Sequence, residues 1–132
     1  MIEIAAVASS SKGNCYRITD GSTPLLLECG IQFREIQRRL NFQTSDITAC
    51  LVSHEHKDHS RAMVDILKSG IDVYASYGTF DALGLDGHHR GHPIKAQQPF
   101  TIGTWTILPF ETQHDAAEPL GFLMVPLHRA GS

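Results

Sequence analysis

The sequence predicts an α/β (α+β) chain, a mixed sheet with flanking helices, and three observations point to it. An apolar run at 48–52, a stretch of helical periodicity ending before Gly70 and a second apolar run at 71–75 follow one another as in a βαβ unit. Near the start, apolar runs at 2–8 and 15–19 flank a loop of Ser, Lys, Gly and Asn, the arrangement of an antiparallel pair. Further on, 100–102 and 104–110 alternate on either side of Gly103 in the manner of a hairpin.

Taken in order, residues 2–8 suit a buried strand and 15–19 its neighbour. Between them Ser9, Ser10, Ser11, Gly13 and Asn14 are default turn formers, although such a loop also offers backbone N–H groups and hydroxyls to an anion. Asp20, Gly21, Ser22, Thr23 and Pro24 make a turn, and Leu25, Leu26 and Leu27 a short buried strand. Phe33, Ile36 and Leu40 fall on one helical face, with Arg34, Gln37, Arg38 and Arg39 mostly opposite, on what reads as a solvated side. Ser45 and Asp46 form a cap-like turn before the strand at 48–52, which is the central one. Ala62, Met63, Ile66 and Leu67 then repeat at helical spacing, and Gly70 stands where a C-cap belongs. Residues 77–85 predict a short helix. Gly87, Gly91 and Pro93 oppose helix formation around His88, His89 and His92, so 86–93 reads as a surface loop whose Arg90 and histidines have a substrate phosphate as their functional alternative. Residues 120–127 form a last strand.

Composition sets outer bounds. With 132 residues, 42% hydrophobic and 19% charged, the chain has the makeup of a globular domain with one core. We read 1–132 as one domain, incomplete on its C-terminal side. A net charge of -3 gives no global basic field to steer nucleic acid, although a bound cation reverses the local potential. Cys15, Cys29 and Cys50 are odd in number and lack zinc-knuckle spacing, which favours a reducing compartment. No apolar segment approaches the ~20 residues of a membrane span and no signal peptide stands at the start, so the expected location is cytoplasmic, with no membrane partner.

The chemistry concentrates directly after the central strand. Ser53-His54-Glu55-His56-Lys57-Asp58-His59 brings three imidazoles and Asp58 into one short loop. Imidazole and carboxylate are the ligands that borderline divalent cations such as zinc prefer. Histidines two residues apart on an extended or tightly turning segment point the same way, so His54 and His56 can grip one ion. Asp58 and His59 diverge from them and can hold a second. Two-metal sites of this kind serve displacement at phosphorus or at a carbonyl. A solvated loop with coincidental histidines is the bland alternative, and the density of ligand types argues against it.

The pattern His-x-His-x-Asp-His after a strand resembles the signature of the metallo-β-lactamase superfamily. Residues 9–15 (Ser-Ser-Ser-Lys-Gly-Asn-Cys), 25–30 (Leu-Leu-Leu-Glu-Cys-Gly) and 114–122 (His-Asp-Ala-Ala-Glu-Pro-Leu-Gly-Phe) look like its YycJ/WalJ-like branch, associated with exonuclease-type DNA hydrolysis. The resemblance runs over nearly the whole chain and implies the N-terminal half of a metallo-β-lactamase-like αββα sandwich. Carried over, it implies His54, His56 and His114 as ligands of a first metal, Asp58 and His59 as part of a second set, and Glu28, where the family usually has aspartate, as a brace for the metal loop. Asp58 and His114 are the candidate catalytic residues, and Asp115 a neighbour able to position the ligands. The bridging aspartate and the last histidine of the second set have no counterpart here; His128 comes too early to be assigned.

The resemblance further implies two divalent metal ions, zinc first and manganese second, and a nucleic acid substrate with DNA favoured. The implied function is hydrolysis of phosphodiester bonds, of the DNA exonuclease type, by a metal-activated water. A homodimer or a missing C-terminal half would supply the absent ligands. The alternatives are a metallo-hydrolase acting on RNA, a thioester or a small phosphodiester, and a catalytically inactive, truncated metal-binding half-domain.

Overall fold

Side-chain alternation along one short strand sets the layers of this computed structural model, which describes residues 1–127. Ala49 and Leu51 face one core, whereas Cys50 and Val52 face another, and all four are buried. A strand covered on both sides reads as a continuous apolar run, as residues 49–52 do.

Among the described residues the elements run β1 (Glu3–Ser10), β2 (Gly13–Thr19), β3 (Leu25–Leu27), α1 (Phe33–Arg39), a 3-10 turn (Thr44–Asp46), β4 (Ala49–Leu51), α2 (Lys57–Ser60), α3 (Met63–Lys68), β5 (Asp72–Ser76), α4 (Tyr77–Ala82), β6 (Gly91–Ile94), β7 (Phe100–Ile102), β8 (Trp105–Glu111) and β9 (Leu120–Pro126). Strands β1 to β6 form one sheet in sequence order. Its first three strands pair antiparallel, and β3, β4, β5 and β6 pair parallel. Strands β7, β8 and β9 form a separate antiparallel sheet.

One face of the large sheet, with Cys15, Leu26, Cys50, Val52, Val73 and Ala75, packs on Ile36 of α1, Met63, Ile66 and Leu67 of α3, and Phe80 of α4. The other face, with Ile18, Leu25, Ala49 and Leu51, packs on Ile102, Trp105 and Ile107 of the small sheet. Helices, mixed sheet and second sheet are thus stacked in the order α, β, β, in agreement with the mixed sheet and flanking helices expected from the sequence.

Most boundaries shift by a residue or two, α4 ends three residues early, and two readings change. The helix expected after the histidine loop is broken into α2 and α3 at Arg61 and Ala62. The Ala62 N–H donates to the Cys29 carbonyl at 2.9 Å, so the break is pinned to the loop after β3. Residues 91–93, expected to lie in a surface loop, belong to the edge strand β6. An edge tolerates Pro93 because its outer side needs no N–H donor. His92 stacks on Tyr74 at 4.5 Å, and Tyr74 on Phe100 at 5.3 Å. His128 lies outside the described residues.

Because β3, β4 and β5 are parallel, the loops that follow them leave from one edge of the sheet, the usual place for a ligand site in open α/β sheets. The candidate site stands there.

Candidate metal centre

The site is built around His54. Only 2% exposed, it has three other imidazoles around it: His59 at 4.2 Å between ring centroids, His56 at 4.7 Å and His114 at 4.8 Å. His54, His56 and His59 come from the loop after β4 and the first turn of α2; His114 comes from the loop between β8 and β9. The structure therefore brings together the four histidines expected as metal ligands. Asp58 joins through its Oδ2, 3.4 Å from His59 Nε2.

Glu28 organises this cluster from beneath. It follows β3, is buried, and holds a left-handed backbone angle of φ 66°. A non-glycine residue in that region is uncommon and strained, and such residues concentrate at functional sites. Its Oε1 accepts from the Ser53 N–H at 2.8 Å, and its Oε2 accepts from the Ser53 hydroxyl at 2.6 Å and from His59 Nδ1. Because the Ser53 hydroxyl gives its proton to Glu28, it accepts at 2.8 Å from His54 Nδ1–H. That fixes the His54 tautomer and leaves its Nε2 with the lone pair. By the same logic His59, donating through Nδ1, turns Nε2 outward. A carboxylate or hydroxyl orienting the far nitrogen of a metal-ligating histidine is the standard support for such ligands.

The electrostatics agree. Burial first, then the neighbouring His59, holds His54 below the ordinary histidine range, which keeps the ring neutral and able to ligate. The hydrogen bond to Glu28 holds His59 above that range. Cys15, Cys29 and Cys50 are buried and free; burial raises the Cys15 thiol, and the hydrogen bond with Cys29 together with burial raises Cys50.

Among the described residues, no three His, Cys, Asp or Glu side chains already stand at ligating distance of one point. His56 donates from Nε2 to the Asp115 carbonyl at 2.6 Å, which leaves the lone pair on its Nδ1. Asp115, expected to position the ligands, meets His56 through its backbone carbonyl. The donor types nevertheless suit a divalent ion: imidazoles with a carboxylate beside them.

Ser53 and Glu55 lay within the stretch recognised in the sequence, yet their contacts were not legible, since they depend on which loops meet. The second histidine group stays apart: His88 stacks on His89 at 4.7 Å, and His92 lies 3.5 Å from Asp72. Arg90 is likewise taken up by Asp72, at 3.1 Å.

Comparison with known proteins bears on the family and the fold. The chain is 31% identical over 123 residues to the exodeoxyribonuclease WalJ of Streptococcus pneumoniae, covering 86% of this chain and 46% of that protein. It is 28% identical over 131 residues to the exodeoxyribonuclease YycJ of Bacillus anthracis, covering 90% and 48%. The chain thus spans about half the length of these relatives. Among solved structures, the metallo-β-lactamase fold protein YhfI of Bacillus subtilis superposes with a TM-score of 0.75 at 17% identity, over 94% of this chain and 57% of that one. That fold implies divalent metal ions. Residues 23–130 match the family described as the β-lactamase superfamily domain, and the chain belongs to that family.

Proposed function

We propose that this chain carries the principal metal-ligating residues of a hydrolase that cleaves phosphodiester bonds, with DNA as its substrate and exonuclease-type digestion as its mode. The observation that carries the proposal is the convergence of His56, His59 and His114 on His54. Its likeness to two exodeoxyribonucleases supports the choice of substrate.

On this reading His54, His56 and His114 hold one ion, and Asp58 and His59 contribute to a second, with zinc favoured by the imidazole-rich set and manganese as second choice. Cations bound there would supply positive charge, lowering the pKa of water toward ~7 and offsetting charge at phosphorus. The chain's own residues do the rest. Glu28 and Ser53 fix the tautomers of His54 and His59. Asp58, at the start of α2, orients the attacking water, and His114, on an exposed loop, is placed to meet the substrate.

The test is a substrate panel of linear DNA, RNA and a thioester, given to metal-loaded protein with His54→Ala as control. The proposal expects DNA to be degraded by the parent and spared by the variant. DNA left intact beside a cleaved thioester, or cleavage retained in His54→Ala, would overturn it. Bound metal with no turnover on any substrate would likewise overturn it.

A further inference from the structure

The Glu55 side chain leaves its own loop. Lying between His54 and His56, it reaches 62 positions along the chain, where its Oε2 accepts from the Ala117 N–H at 2.9 Å. Ala117 is three residues beyond His114, in a loop that is otherwise tied down at its far end: Ser76 Oγ donates to the Glu118 carbonyl at 2.7 Å, Gly78 N–H to Glu118 Oε1 at 2.8 Å, and Leu120 N–H to the Ser53 carbonyl at 2.9 Å. Nearer His114, the described residues provide two bonds from the 53–59 loop, the one from Glu55 and the one from His56 Nε2 to the Asp115 carbonyl. The second leaves His56 Nδ1 with its lone pair, so both bonds tie that part of the loop to the histidine cluster.

The other carboxylate oxygen strengthens the case. Glu55 Oε1 is buried and has no hydrogen-bond partner. Leaving such an atom unpaired costs stability, so a residue chosen for stability alone would not present it.

We propose that Glu55 is a positioning residue that clamps the 112–119 loop onto the 53–59 loop and thereby sets His114 against His54. The proposal rests on the reading of the histidine cluster as a metal site. Its physical content is reach: an acceptor at the end of a glutamate-length side chain is required, and the negative charge is not.

Zinc affinity of the full chain, measured by competition with a chromophoric chelator, tests this for the parent, Glu55→Ala, Glu55→Gln, Glu55→Asp, His114→Ala and the double variant Glu55→Ala/His114→Ala. Glu55→Gln keeps an oxygen acceptor of equal length and binds within a few-fold of the parent. Glu55→Ala and Glu55→Asp, which lose the acceptor or shorten its reach, weaken zinc by about 10–100-fold, the usual effect of removing a residue that supports metal ligands. The double variant binds no more weakly than His114→Ala, because both changes remove the same ligand. Three results would each overturn the proposal: Glu55→Gln as weak as Glu55→Ala, Glu55→Asp as tight as the parent, or losses that add in the double variant. Should Glu55→Ala fail to fold, the Gln and Asp variants decide the matter. A parent chain that binds no zinc would instead overturn the metal-site reading itself.

Discussion

Glu28 holds Ser53 with both of its carboxylate oxygens, Oε1 on the backbone N–H at 2.8 Å and Oε2 on the hydroxyl at 2.6 Å. The first residue of the histidine loop is therefore fixed before any metal arrives. Glu28→Ala strands three donors, the Ser53 N–H and hydroxyl and His59 Nδ1, in a part-buried place and should cost about 1–3 kcal/mol. Urea denaturation of the metal-free protein measures it, and a loss well under that range would mean that the loop holds its shape without the carboxylate.

Gly30 marks a backbone contact beneath the same loop. A Cβ built there would stand 1.7 Å from the Asp58 carbonyl oxygen and 2.7 Å from the His59 nitrogen. Neither atom belongs to a flexible side chain, so Gly30→Ala must push the start of α2 away. The expected outcome is a loss of about 1–3 kcal/mol, as for other overpacked sites, together with weaker metal binding. Paired denaturation and metal titration check both.

The two sheets are latched at their turns. Burial raises the Asp20 carboxyl, but hydrogen bonds from the Thr104 hydroxyl and from the Thr23 and Ser22 N–H groups outweigh it and hold the group below its ordinary value of 3.8. A depressed folded-state pKa contributes stability that is present above that ordinary value and lost as pH falls through the lower folded one. Asp20→Asn should therefore be less stable than the parent at neutral pH, with the gap closing in acid well below 3.8. Denaturant midpoints at the two pH values give the comparison; a gap independent of pH would contradict it.

Trp105 supplies the apolar half of this latch. Buried between the sheets, it donates from Nε1 to the Thr23 carbonyl at 2.9 Å. Trp105→Phe keeps most of the packing and leaves that carbonyl unpaired, for an expected loss of about 1–3 kcal/mol by thermal or urea unfolding.

Much of this was legible in the sequence because it follows from local pattern. The unbroken apolar run at 49–52 announces a strand buried on both faces, and the ligand-rich loop after it announces the site. What escaped depends on distant partners. β6 was hidden because Pro93 and Gly91 argue against a strand, and only a place at the sheet edge makes them acceptable. The break between α2 and α3 follows from a bond to Cys29, more than thirty residues earlier. At the site, the ligand types could be read from the loop itself, whereas the tautomers could not. They are set by Glu28 and Ser53, and that pairing exists only because Glu28 adopts a left-handed backbone conformation that no side-chain pattern advertises.

The central claim, that the His54 cluster is a metal site, is tested most directly by the zinc and manganese content per chain of protein purified without chelator, with His54→Ala and His114→Ala beside it. The account predicts at least one equivalent in the parent and a clear loss in both variants, with each variant still folded by circular dichroism. A metal-free parent after loading and desalting, or full metal content in His54→Ala, would contradict it.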